Sequence, residues 1–323
     1  MSSLAIGIDL GGTFIKAGVI TDEGHVIGQW KITTEGHKGG PVVVQRMVDL
    51  IGEILRSPEV TGCEDKVVGI GLGSPGLVDQ KMGTITRPVN IPNWEDGICV
   101  KEVFEQRYGL PTSADNDANA CGLGEARFGA GRGRSVVVAL TLGTGVGGAI
   151  VADGKVFHGA RGYAGELGHT CVDPEGPPCA CGGNGCVETY ASANAIAKYA
   201  AALVAQGRHK SLLVEWSRDG TPITSKLVHE AALQNDALAL RVIQRAGRYL
   251  GVAAGNFCVA VNPEVIVIGG GASAMGDLLF DHVRREIEMR VFFSPYFKTE
   301  VCRALLGEDA GFIGAACLAL APS

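Results

Sequence analysis

The sequence predicts an α/β protein of two lobes built from two copies of one supersecondary unit, and three observations predict it. The 323 residues are enough for about two domains, each with its own core. Glycine, at 48 residues and with no collagen-like period, falls at the ends of apolar runs, where it marks turns and close backbone approaches. A strand, turn, strand, turn, strand layout occurs twice, at 4–32 and at 136–159.

In the first copy, an apolar run reaches Asp9, a tight turn covers Gly11, Gly12 and Thr13, and a second strand runs to Ile20. "TDEG" turns the chain into a third strand. Helical periodicity follows over Val42 to Leu55, then a continuous apolar strand from Val67 that opens into the loop "SPGLVD". After a helix around Val100 to Arg107, a short strand ends at "ADNDANA". The second copy repeats the layout, with a turn over Gly143, Thr144 and Gly145 and another at Asp153-Gly154. Aligned, Asp9-Leu10-Gly11-Gly12-Thr13 falls on Thr141-Leu142-Gly143-Thr144-Gly145. Two helical stretches, 190–207 and 225–261, lead to a buried strand "VIVIGGGAS", and "GEDAGFIGAACLAL" closes the chain as a helix. The expected division is a small lobe of 1–120 joined by the C-terminal helix 309–323, and a large lobe of 121–308, with a hinge near 118–130.

Bulk properties exclude several classes. A formal net charge of -6 with interspersed signs gives no electrostatic footprint for nucleic acid or an anionic membrane. The start "MSSLAIGIDLGG" has no basic segment or long apolar run of a signal peptide, and no window approaches a transmembrane length, so a cytoplasmic protein is expected. Of ten cysteines, Cys63, Cys99, Cys121, Cys258, Cys302 and Cys317 are scattered among apolar neighbours and read as small core hydrophobes.

A strand running into Gly-Gly-Thr or Gly-Thr-Gly exposes successive backbone N–H groups that close on phosphate oxygens. One such turn reads equally as a hairpin; two at matching places suggest a nucleotide held between lobes. Thr13 and Thr144 supply hydroxyls, Lys16 offsets charge, and Asp9 is an oxygen ligand suited to hydrated Mg²⁺. A third turn, Gly269-Gly270-Gly271, sits at the C-terminal end of a buried strand.

These segments, with "GIDLGGTFIKAGV", "GLGSPGLVD", "NIPNW", "DNDANACGLGEARFGAG", "TLGTGVGGAIV", "GYAGELGH", "CACGGNGCVETYAS", "VIGGGAS" and "GEDAGFIGAA", resemble the ROK family of repressors and sugar kinases over essentially the whole chain. The resemblance implies an actin-like, ribonuclease-H-like ATPase fold of two domains and, within the family, an ATP-dependent glucokinase. It makes Asp117 the catalytic base, which is chemically sensible because a sugar hydroxyl is a poor nucleophile until a carboxylate takes its proton. The competing reading of Asp117 is a helix N-cap. Asp115, two residues earlier at a strand end, is expected to point to the opposite face. Sugar contacts implied by the family are Asn93, Asn116, Asp117, Glu166, His169 and Glu188, a mix of amides and carboxylates suited to pyranose hydroxyls. Gly11, Gly12, Thr13, Lys16, Thr144, Gly145, Gly270 and Gly271, with Asp9, are assigned to the nucleotide and its Mg²⁺. Trp94 reads foremost as a core anchor, with a stacking platform for the sugar as the other reading.

His169, Cys179, Cys181 and Cys186 form a closed tetrahedral set typical of structural Zn²⁺, in a loop of 169–186. Cys171 is a competing ligand. The family has this zinc site, and the loop's ends carry Glu166 and Glu188. The other readings are a kinase for N-acetylmannosamine, N-acetylglucosamine, allose, mannose or fructose, and a non-catalytic sugar sensor. A repressor needs a preceding helix-turn-helix, for which the start at Leu4 leaves no room. No basic run would guide polyphosphate, so ATP is the expected donor. The family implies a homodimer or homotetramer.

Overall fold

The chain opens with three strands, β1 (Leu4–Leu10), β2 (Phe14–Thr21) and β3 (Val26–Thr33), in a computed structural model that describes residues 2–88, 91–296 and 298–320. Helix α1 (Gly40–Leu55) follows, with Pro41 in its first turn, where a missing N–H is no loss. Then come β4 (Val67–Ser74), the short strands β5 (Leu77–Asp79), β6 (Thr84–Thr86) and β7 (Ile98–Cys99), helix α2 (Val100–Tyr108), β8 (Thr112–Asn116) and α3 (Asp117–Phe128). The segment read as a loop after β4 contains β5, which pairs with β6 and β7 in a small antiparallel sheet. Asn90 of "NIPNW" lies outside the described residues.

The main sheet has the order β3-β2-β1-β4-β8. β1 and β2, and β2 and β3, are antiparallel, while β4 lies parallel to β1 and β8 parallel to β4. β1, β4 and β8 therefore end at the same edge, where α/β sheets place their ligands. Ile6, Ile8, Ile15, Met47, Ile51 and Phe104 are fully enclosed in the core between this sheet and α1 and α2.

The second copy supplies β9 (Val136–Leu142), β10 (Val146–Ala152) and β11 (Lys155–Val156). Beyond them lie α4 (Glu188–Ala191), α5 (Ala193–Ala205), α6 (Leu212–Trp216), α7 (Ser225–Leu233), α8 (Ala237–Val261), β12 (Val265–Gly269), α9 (Asp277–Arg290), β13 (Glu300–Arg303) and α10 (Ala310–Ala319). This sheet runs β11-β10-β9-β12-β13, the same order as the first. The expected helical stretch 225–261 is two helices. Asn235 enters the left-handed region at φ 59°, and the Asp236 side chain then caps α8 by accepting from Ala239 N at 2.9 Å. α9 and β13 lie outside the elements read from sequence, although Leu279, Phe280, Val283 and Ile287 have helical spacing and are buried. α9 packs on α8, where Gly251 would place a Cβ 2.6 Å from that of Glu286.

Contacts divide the chain into two compact units, residues 1–133 with 149–165 and 306–323, and residues 134–148 with 166–305. Sequence placed the change of lobe after 120. The division falls after 133 because α3 packs against the C-terminal helix α10 rather than with the segment that follows it.

α10 lies on a row of glycines. Gly18, Gly7 and Gly71 are in register on β2, β1 and β4. A Cβ at Gly7 would fall 1.9 Å from Phe312 O, one at Gly18 2.4 Å from the Phe312 ring, and one at Gly71 1.7 Å from Ala315 O. On its other side, a Cβ at Gly314 would meet Ala120 O of α3 at 1.7 Å. Backbone thus rests on backbone with no room for a methyl group. Gly71→Ala is expected to lower unfolding stability by about 3 kcal/mol, read as a shift in the urea midpoint; an unshifted midpoint would show that the helix has slack to move.

Candidate active site

In the first unit, acidic groups collect at the edge where β1, β4 and β8 end. Asp9 closes β1, and Asp117 is the first residue of α3, immediately after β8. Asp9 is largely enclosed, and burial first, then the nearby Asp117 carboxylate, push its pKa up to about 6, against the pull of Lys16. One oxygen of Asp9 faces Gly311 of α10, where a Cβ would come within 2.4 Å. Half-buried Cys121 of α3 is raised well above the thiol range by desolvation, then by Asp9 and Asp117. Carboxylate oxygens crowded this way are the donor set that suits Mg²⁺, whose charge would offset the Asp9–Asp117 repulsion.

Asn116 is the N-cap of α3, accepting from Ala118 N at 2.9 Å, so the capping role weighed for Asp117 belongs to its neighbour. Asp117 Oδ1 also accepts from Ala118 N, at 2.8 Å, and the residue is half-buried. The Asn116 amide in turn donates to Gly76 O at 3.2 Å. Strand alternation does not govern how Asp115 and Asp117 are directed. Residues two apart on a strand share a face, and here the strand ends at Asn116, so Asp117 leaves with the helix. Asp115 is buried at 1% exposure and bonds His158 Nε2 at 2.6 Å. His158 was not among the residues singled out, because nothing in the sequence ties it to a strand 43 residues earlier.

The first glycine turn is closed by Gly11 N donating to Phe14 O at 3.0 Å, and Thr13 is exposed. Lys16 stands opposite Asp9 in the β1–β2 register, and its ammonium is engaged by Glu308, at 3.0 Å to Oε2 and 3.2 Å to the carbonyl. Asn93 is exposed, in the left-handed region at φ 58°, and its carbonyl accepts from Gly40 N. Trp94 packs on the first unit's core and donates to Ile85 O at 3.1 Å, which is the core-anchor reading.

In the second unit, the Thr144 turn and the cysteine loop meet at Glu188. Glu188 Oε2 accepts from Val146 N at 2.9 Å, and a Cβ at Gly145 would lie 2.3 Å from that oxygen. Gly145 is therefore required by Glu188, whatever it offers a phosphate. A Cβ at Gly168 would fall 1.8 Å from Val146 O, so the turn carrying Glu166 and His169 rests on the start of β10. Gly270, at φ 79°, fits against the backbone of Leu142; Gly271 faces open space and is exposed, as are Thr144 and Glu166.

The cysteine loop folds back on itself. Cys171 and Cys186, both free thiols, are paired through their backbones in an isolated antiparallel β-bridge, Val172 N donates to Gly185 O at 2.8 Å, and Val187 N to Thr170 O at 3.0 Å, which brings the loop's two ends side by side. Ligand atoms of His169, Cys179, Cys181 and Cys186 all lie within 4.8 Å of one another, and exposed Cys171 is outside the group. Cys181 and Cys186 Sγ are 3.6 Å apart, as are Cys179 Sγ and His169 Nδ1. A tetrahedral zinc with bonds of about 2.3 Å to sulfur needs ligand separations of about 3.8 Å, so the donor set and its spacing fit that ion. With Nδ1 on the thiol side, Nε2 of His169 remains for another partner. Among the described residues, no helix is long and apolar enough to cross a membrane.

The ROK family profile matches residues 5–321. The chain is 41% identical over 310 residues to a glucokinase of Halalkalibacterium halodurans, spanning 96% of this chain and 92% of that one. A solved ROK hexokinase from Thermus thermophilus matches with a TM-score of 0.80 at 32% identity, over 98% and 97% of the two chains. A ROK family glucokinase from Streptomyces griseus, solved with glucose and AMPPNP, matches with a TM-score of 0.77 at 34% identity, over 98% and 99%.

Because the folded state raises the Asp9 pKa from 3.8 to about 6, the protein binds a proton more tightly than the unfolded chain across that window. Stability from this group is present at low pH and is lost as pH rises through about 6. Asp9→Asn removes the loss. Its stability relative to the unsubstituted protein, from urea unfolding without ligands, should grow by about 2 kcal/mol between about pH 4 and about pH 7.5. A difference independent of pH would mean that Asp9 is not enclosed as described.

Proposed function

The chain belongs to the ROK family, and on that premise we propose that it is an ATP-dependent glucokinase, transferring the γ-phosphoryl group of ATP to the 6-hydroxyl of glucose with release of glucose 6-phosphate and ADP. Its likeness to glucokinases along nearly its full length carries this reading. The actin-like, ribonuclease-H-like assignment with duplicated lobes belongs to the same proposal, and the identical strand order of the two sheets supports it. A cytoplasmic location and a homodimer or homotetramer are further parts of the proposal.

In the proposed reaction Asp117 takes the proton of the sugar 6-hydroxyl as that oxygen bonds the γ-phosphorus. The bond from phosphorus to the bridging oxygen breaks, and its electron pair leaves on ADP. The position of Asp117 suits a base, since it is half-buried at the head of a helix whose cap is already supplied by Asn116. The repulsion between Asp9 and Asp117 gives Asp9 a use as the carboxylate facing Mg²⁺, which when bound neutralises phosphate charge. Gly11, Gly12, Thr13, Lys16, Thr144, Gly145, Gly270 and Gly271 are assigned to the nucleotide; for Lys16 this requires the ammonium to leave Glu308.

For the sugar we assign Asn93, Asn116, Asp117, Glu166, His169 and Glu188. Zinc held by His169, Cys179, Cys181 and Cys186 would cross-link the loop between Glu166 and Glu188. His169 then directs Nε2 to the sugar, and Glu188 is aimed by Val146 N.

Purified protein with Mg-ATP, assayed for ADP release against glucose, mannose, fructose, allose, N-acetylglucosamine and N-acetylmannosamine, should favour glucose. Preference for another sugar keeps the mechanism and changes the substrate, while no turnover with any of them overturns the kinase. Asp117→Asn should lower kcat by about 10²–10⁴-fold with glucose binding nearly intact; activity within about tenfold of the unsubstituted enzyme removes Asp117 as base. Zinc chelation should raise the glucose KM and lower Tm together, and stoichiometric zinc whose removal changes neither would overturn its supporting role.

A further inference from the structure

We propose that His158 is a positioning residue for phosphoryl transfer, holding the Asp115 carboxylate and through it the strand-to-helix turn that carries Asp117. The inference rests on the kinase reading of the preceding subsection. Asp115 is buried at 1% exposure, and both of its oxygens are in use. Oδ1 accepts from Asn116 N at 2.7 Å and from Asn119 Nδ2 at 3.0 Å, gripping the first turn of α3 on either side of Asp117. Oδ2 meets His158 Nε2 at 2.6 Å, short for a nitrogen donor and typical of a charge-assisted bond. Hydrogen bonding to Asp115 raises the His158 pKa, against the effect of burial.

The backbone that carries the imidazole is anchored as well. His158 O accepts from Ala164 N at 3.1 Å, and Gln80 Nε2 donates to Gly162 O at 3.0 Å, so the segment after β11 is anchored as a short loop. The need for such a donor follows from local charge. Asp9, Asp115 and Asp117 lie at the ends of parallel strands in one sheet, and the Lys16 ammonium beside them is engaged by Glu308. Removing one partner of a buried charge pair is far more damaging than losing an exposed one, because the other charge is left without solvent or partner. Without the imidazole, Oδ2 of Asp115 loses its partner and the carboxylate turns outward. The change releases Asn116 N or Asn119 and tilts the start of α3, and small misplacements of a catalytic group are costly to rate. His158 is not a catalytic residue in this account; it acts through Asp115.

The test uses the full-length enzyme with Mg-ATP and glucose. His158→Ala is expected to lower kcat by about 30-fold or more, with the ATP KM within about threefold. His158→Gln, whose side-chain N–H still donates to Asp115, should recover to within about fivefold of the unsubstituted enzyme. H158A combined with Asp115→Asn should be no worse than the more impaired single variant, since both break one bond. If H158A does not fold, H158Q against His158→Met, of similar volume and without a donor, makes the same comparison. The proposal is overturned by an H158A kcat within about threefold of the unsubstituted enzyme, by H158Q as impaired as the variant without a donor, or by multiplying losses in the double variant. An unsubstituted enzyme inactive on every sugar overturns the kinase reading and this inference with it, whereas an active enzyme indifferent to H158A overturns this inference alone.

Discussion

The first unit depends on one close contact, the seating of α10 on a bed of three glycines. Gly18, Gly7 and Gly71 stand in one row across β2, β1 and β4; the helix backbone at Phe312 and Ala315 occupies the volume side chains at Gly7 and Gly71 would have filled, and the Phe312 ring that at Gly18. The same helix presents Gly314 to Ala120 of α3 and Gly311 to the carboxylate of Asp9. One ten-residue element thereby fixes both carboxylates of the candidate chemistry, one directly and one through the helix that Asp117 opens. Because backbone atoms form most of these contacts, the seat has no rotamer with which to accommodate a change.

That seating creates an electrostatic cost as well as a geometry. Pressing α3 and α10 over the strand ends takes Asp9 away from water beside Asp117, and its pKa rises to about 6. The molecule handles its neighbouring carboxylate differently. Asp115 is the most deeply buried of the three, yet it is surrounded by donors from His158, Asn119 and its own helix turn. A carboxylate ringed by donors serves as a structural rivet, and one set beside another carboxylate suits a cation or a proton. The contrast assigns different work to three aspartates that composition alone makes equivalent.

In the second unit the corresponding rigidity comes from a short loop rather than a helix. The backbone β-bridge between Cys171 and Cys186 and the bonds on either side bring Glu166, His169 and Glu188 onto one stretch of backbone around Val146. Three thiols collect around the His169 imidazole, with Cys179 Sγ 3.9 Å from Glu188 Oε1. Gly145 and Gly168 are the points of closest approach, so glycines that read as phosphate turns or simple spacers serve first to let the loop lie against β10.

The sequence by itself determined the repeated unit, the strands β4, β8 and β12, the Cys/His spacing and the motif order that marks the family, because period, turn chemistry and side-chain identity are local properties. It also carried the signal for α9, in apolar spacing that went unread, and for the α7/α8 break, in the Asn235-Asp236 pair. Only the tertiary structure decided that Asn116 rather than Asp117 caps α3, that Lys16 is held by Glu308, and that His158 meets Asp115. It alone decided that Gly7 and Gly71 are the floor under α10. Each of these depends on which residues distant in the chain come to share a face, and one sequence carries no term for that distance. A glycine looks the same whether it turns the chain or makes room for a helix that begins about 300 residues later.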